Sequence, residues 1–150
     1  MAVRNALENQ QALRSELINK GCSIHYLPRL TQTDFDHLLW ACDMNFVRGE
    51  DSLVRGLWAG KPLIWQIYPQ DDDAHHSKLD AFLRQISASA EVRRLHNIWN
   101  GLQNLPTGAA LPLPNMHHWQ AQMQGNLERL LQLNDLTSQL LEFVHKIKIK

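Results

Sequence analysis

The run Arg48-Gly49-Glu50-Asp51-Ser52 places a permanent cation, a residue without a side chain, two carboxylates and a hydroxyl in five consecutive positions. An arginine guanidinium is a planar fork of donors that suits phosphate oxygens. Gly49 lets backbone approach a ligand closely, and Asp51 or Ser52 is expected to cap a helix starting here, whose first N–H groups favour an anion. Glu50 and Asp51 would repel a diphosphate unless Arg48 and the helix end offset them. Their better partners are hydroxyls, so the combination describes a nucleotide-sugar pocket. The same five residues also suit a plain capped helix with a surface Arg–Glu pair, and spacing alone leaves both readings open.

Other residues with chemical potential read more plainly. Asp71, Asp72, Asp73, His75 and His76 are metal-type donors, but adjacent histidines on a helix should diverge, and His117-His118 shares that defect. A solvated loop leading into a helix is expected, with no metal. Cys22 and Cys42 lack CxxC spacing and are expected as reduced core thiols.

These side chains need elements to hold them. Residues 2–20 read as an amphipathic helix ended by Gly21, and a strand is expected at 23–27 before Pro28. Thr33 or Asp34 is placed to cap a short helix through Ala41. Met44 to Val47 reads as a strand, and Leu53, Val54, Leu57 and Trp58 recur at helical spacing until Gly60. The apolar run Pro62 to Tyr68 then reads as a strand at 63–67, buried on both faces of a parallel sheet. Trp40, Trp58 and Trp65 are expected in the core, while Trp99 and Trp119 are left unassigned. Helices follow at Lys78–Ser87 and Glu91–Trp99, then a Gly/Pro-punctuated connection, Gly101 to Pro114. The leucine-rich segment after it reads as core, interrupted near Asn134-Asp135, with a frayed end at Lys146–Lys150.

Alternating helices and strands imply an α/β class with a mostly parallel sheet flanked by helices and a helical C-terminal part. Three strands in 150 residues make a thin sheet. The chain therefore reads as one partial domain, 1–150, whose first strand or strands lie upstream. Lys+Arg and Asp+Glu number 15 each, which leaves no basic excess for nucleic-acid backbones. No apolar stretch is long enough to span a membrane and the first residues are polar, so a cytoplasmic protein without membrane contact is expected. In an open parallel sheet, ligands bind beyond the carboxyl ends of strands, and the Arg48–Ser52 loop occupies such an end.

The run from Phe46 to Ser52, with Val54-Arg55, Trp58 to Pro62 and Trp65 to Gln70, resembles the C-terminal domain of bacterial elongation factor P arginine rhamnosyltransferases. Leu38 to Asp43 and Asp71 to Leu83 fit the same family. The resemblance implies a GT-B type inverting glycosyltransferase with two Rossmann-like domains. Such enzymes move L-rhamnose from dTDP-β-L-rhamnose to an arginine of elongation factor P, with no metal or other cofactor. Carried over by motif, Arg48 and Ser52 would meet the diphosphate, Asp51 would assist at the helix start, and Glu50 would be the critical acid. Gln32, Phe35 and Tyr68 would lie in the donor pocket. Thr31 and Arg29 depart from the family, standing where a proline and an aromatic are expected. The resemblance also makes this chain the donor half, partnered by an N-terminal domain that holds the acceptor and its base, and inactive alone. The alternative is a non-enzymatic remnant or interaction module with the same fold.

Overall fold

Val47, Leu63, Ile64 and Trp65 are β-branched, aromatic or large apolar residues bounded by Gly49, Gly60 and Pro62, and they form the buried centre of a small sheet. A computed structural model describes residues 19–71 and 73–148. The chain divides into two compact units, Met1–Thr31 and Gln32–Lys150.

In the first unit, the expected helix over 2–20 lies almost wholly outside the described residues. Gly21 takes the left-handed conformation expected of it, with φ 74°. The strand expected at 23–27 is absent. A strand exists only through a backbone ladder, and the described ladder joins residues 45–48 and 63–66. Cys22 is exposed and Cys42 only half-buried, so neither is the core thiol that the sequence suggested.

The second unit contains α1 (Gln32–Ala41), β1 (Asn45–Arg48), α2 (Glu50–Ala59), β2 (Leu63–Gln66), α3 (Ala74–Gln85), α4 (Ala90–Trp99), α5 (Met116–Leu131) and α6 (Leu136–Lys148). β1 and β2 pair in parallel, Asn45 opposite Leu63 and Arg48 opposite Gln66, with α2 as the crossover. The described sheet therefore has two strands, one fewer than expected. Helix α2 lies close to it because Gly56 has no side chain: a Cβ there would stand 3.3 Å from Leu63 Cδ2 and 3.5 Å from Val47 Cγ1.

The far edge of β2 is closed by side chains rather than by a strand. His96 Nε2 accepts the Trp65 N–H at 3.3 Å, and Asn100 Oδ1 accepts that of Ile67 at 3.0 Å. Asn100 Nδ2 donates to the Trp65 carbonyl at 2.9 Å. His96 on α4 and Asn100, which caps the C-terminal end of that helix one turn later, thus satisfy a backbone edge that would otherwise bind another strand.

Helix α5 reaches α2 through Gln120 and Gln124, whose amides both donate to the Gly60 carbonyl. The core includes Leu39, Leu79, Leu83, Val92, Leu95, Trp119 and Met123. Helix α3 begins four residues earlier than expected, and the break between α5 and α6 falls at the expected Asn134-Asp135. Three expectations of burial fail: Trp40 and Trp58 are 53% and 47% exposed while Trp65 is 4% exposed, and α6 leaves Leu136, Leu140, Leu141, Phe143 and Val144 in solvent. The apolar stripe of α6 follows helical period but is left largely exposed. Helix α6 is continuous through Lys148, and 149–150 lie outside the described residues.

Candidate functional site

β1 ends at Arg48 and α2 begins at Glu50, so the whole turn is Gly49, with φ 77° and ψ 177°. Only glycine takes these angles without strain. Its N–H donates to the Gln66 carbonyl at 3.4 Å and its carbonyl accepts Trp65 Nε1 at 3.1 Å, fixing the turn against β2. A side chain at this position would also collide with Tyr68, since a Cβ would stand 2.8 Å from its Cε2. The Tyr68 ring therefore lies against the turn, and the Arg48 guanidinium carbon sits 4.7 Å from that ring's centre.

The expected capping by Asp51 or Ser52 does not occur. Both residues lie inside the first turn of α2, and the capping position is Gly49, which has no side chain to offer. Thr33 and Asp34 are likewise inside α1, which starts at Gln32. The first-turn N–H groups of α2 have no partner further back in the helix, and together with the helix dipole they suit an anion. Arg48, Tyr68, Glu50 and Asp51 are exposed around this start, and Ser52 is half-buried.

Asp51 is held by Arg55. The Arg55 Nε donates to Asp51 Oδ2 at 3.0 Å, and its Nη1 donates to both carboxylate oxygens of Asp36 at 2.9 Å. Hydrogen bonds to Asp36 first, then to Asp51, raise the Arg55 pKa above its ordinary value. Sequence reasoning missed this bridge. Asp51 and Arg55 stand at i,i+4, a legible helical pair, but Asp36 is nineteen residues away from Arg55 on another helix.

Of the residues singled out in the sequence, Arg48, Glu50, Asp51, Ser52 and Tyr68 come together at the β1–α2 turn and the end of β2. Gln32 and Phe35 come from α1. Gln32 is exposed, and Phe35 is half-buried and packs against the core. No hydrogen bond or ring contact joins them to Arg48 or Tyr68 among the described residues. Two cavities of about 270 and 280 Å³ lie elsewhere, the first between α2, α3 and α5 and lined by Leu57, Phe82, Ile86 and Leu130. The turn is thus an open surface able to hold an anion and stack a ring, without enclosing a ligand.

The Asp/His cluster departs from expectation. The His75 and His76 rings do not diverge: their centres are 4.1 Å apart, and the nearest donor atoms of Asp73, His75 and His76 all lie within 4.8 Å of one another. His75 Nδ1, however, accepts the Gln70 N–H at 3.1 Å. That hydrogen bond occupies the Nδ1 lone pair of His75.

A family profile described as Elongation-Factor P (EF-P) rhamnosyltransferase EarP matches residues 1–145. The chain belongs to this family. It is 38% identical over 135 residues to the protein-arginine rhamnosyltransferase of Pseudomonas aeruginosa, across 84% of this chain and 35% of that relative. With the enzyme of the same name from Shewanella oneidensis, identity is 60% over 62 residues, 41% of this chain and 16% of that one. A solved structure described as the structural basis for EarP-mediated arginine glycosylation of translation elongation factor EF-P matches at TM-score 0.61 and 32% identity. The match covers 80% of this chain and 39% of that one. The chain thus spans about a third of the Pseudomonas aeruginosa EarP relative.

Proposed function

We propose that this chain is the donor-binding part of a GT-B type protein-arginine rhamnosyltransferase, holding dTDP-β-L-rhamnose for transfer to an arginine of elongation factor P in the cytoplasm. The diphosphate sits at the start of α2, with Arg48 and Ser52 as partners. Tyr68, Phe35 and Gln32 face the thymine and sugar, where rings stack and amides hydrogen-bond. Glu50 faces the sugar or the acceptor guanidinium.

The chemistry is an inverting displacement. An arginine nitrogen attacks the anomeric carbon, the bond to the diphosphate oxygen breaks, and dTDP leaves. A guanidinium stays protonated in water and is a poor nucleophile there, so it needs a base and a desolvated cleft. On this reading the base comes from the N-terminal domain that the family resemblance implies, and the surface described here supplies the donor side. Among the described residues no helix is long and apolar enough to cross a membrane.

The observation that carries this reading is Arg48 stacked on Tyr68 beside a helix start with no capping side chain. Family membership and the likeness to the solved EarP structure support it. Calorimetry with dTDP tests it: Arg48→Ala should weaken binding by about 1.5–3 kcal/mol, the scale of a hydrogen bond to a charged group. Unchanged affinity in a folded variant would place the diphosphate elsewhere.

A further inference from the structure

The site has a charge problem that Arg48 alone does not solve. Glu50 and Asp51 occupy the first turn of α2, the place where the proposed diphosphate binds, and an unpartnered Asp51 carboxylate there would compete with it for the same N–H groups and repel it. Arg55 withdraws that carboxylate. Its Nε holds Asp51 Oδ2, while its Nη1 is fixed by both oxygens of Asp36 on α1. The Arg55 side chain is only 22% exposed and the Asp36 side chain 29%, so this pair is partly shielded from water. Gln32 precedes Asp36 by one turn of α1, on the same face.

We propose that Arg55 is a positioning residue for the phosphates of the donor: braced by Asp36, it holds Asp51 off the N-terminus of α2 and leaves that helix start free for a diphosphate. The inference rests on the donor-site reading above. Lysine cannot replace Arg55, because a single ammonium lacks the planar fork that binds Asp36 and Asp51 at once.

The test separates charge from structure by comparing dTDP with thymidine, which lacks phosphates, on the 150-residue chain. Arg55→Met should weaken dTDP binding about tenfold while leaving thymidine binding within about twofold. Adding Asp51→Asn to Arg55→Met should restore most of the lost dTDP affinity, because the competing carboxylate is then neutral. Arg55→Lys should behave like Arg55→Met, and thermal melts confirm that each variant folds. Equal losses for dTDP and thymidine, or no rescue by Asp51→Asn, would overturn the role given to Arg55. Wild-type chain that binds thymidine no more weakly than dTDP would overturn the diphosphate reading itself, and this proposal with it.

Discussion

The Arg48 guanidinium lies over the Tyr68 ring, 4.7 Å from its centre, and both residues are solvent-exposed. A cation over an aromatic face at an exposed site contributes roughly 0.5–1 kcal/mol, enough to hold a flexible arginine in one orientation before a ligand arrives. Tyr68→Phe should therefore keep dTDP affinity nearly unchanged, and Tyr68→Leu should lower it several-fold. Equal losses in the two variants would show that the hydroxyl, not the ring, does the work.

Gly49→Ala should be worse than either. It forces a side chain onto a φ of 77° and drives its Cβ to 2.8 Å from the Tyr68 ring, so both backbone strain and displacement of Tyr68 follow. Chemical denaturation should show a loss of about 1–3 kcal/mol, together with lost dTDP binding.

Stability should fall in mild acid because of His96. Burial, ahead of all other causes, lowers its pKa from 6.5 to about 4. Between these values the unfolded chain binds a proton that the folded chain refuses. The contribution of neutral His96 is complete above pH 6.5 and is lost as pH falls through about 4, up to about 3 kcal/mol in all. Protonation also removes the acceptor for the Trp65 N–H. Urea titrations from pH 7 to pH 4 should show this decline, and His96→Gln should flatten it. An undiminished slope in that variant would assign the acid sensitivity to other groups.

The β1–α2–β2 unit was legible because each boundary carries its own residue: Gly49 between strand and helix, Gly60 after the helix, Pro62 before the second strand. The segment 23–27 had the composition of a strand, but pairing is a property of two segments and composition reports one. Trp40 and Trp58 lie at helical spacing, yet periodicity cannot say whether a neighbour covers the stripe, and both are exposed. Arg48, Glu50 and Asp51 were visible as a cluster of charge. The Asp36–Arg55 bridge and the seating of Tyr68 on Gly49 join residues nineteen positions apart, and no local pattern encodes them.

Glu50 and Arg48 should separate chemistry from binding. In a protein with the full length of the Pseudomonas aeruginosa relative, Glu50→Ala should abolish or strongly reduce addition of a deoxyhexose to elongation factor P, read by intact mass. It should also lower dTDP affinity less than Arg48→Ala does, because its proposed partners are sugar or acceptor groups. Full transfer by the Glu50→Ala protein would remove Glu50 from the reaction.

The claim that a donor diphosphate sits at the start of α2 is tested most directly by amide hydrogen exchange of this chain with and without dTDP. The account predicts that dTDP slows exchange at Glu50, Asp51 and Ser52, whose N–H groups open the helix, and that Arg48→Ala removes this protection. Protection confined to other segments, with these three amides unchanged at saturating dTDP, would contradict it.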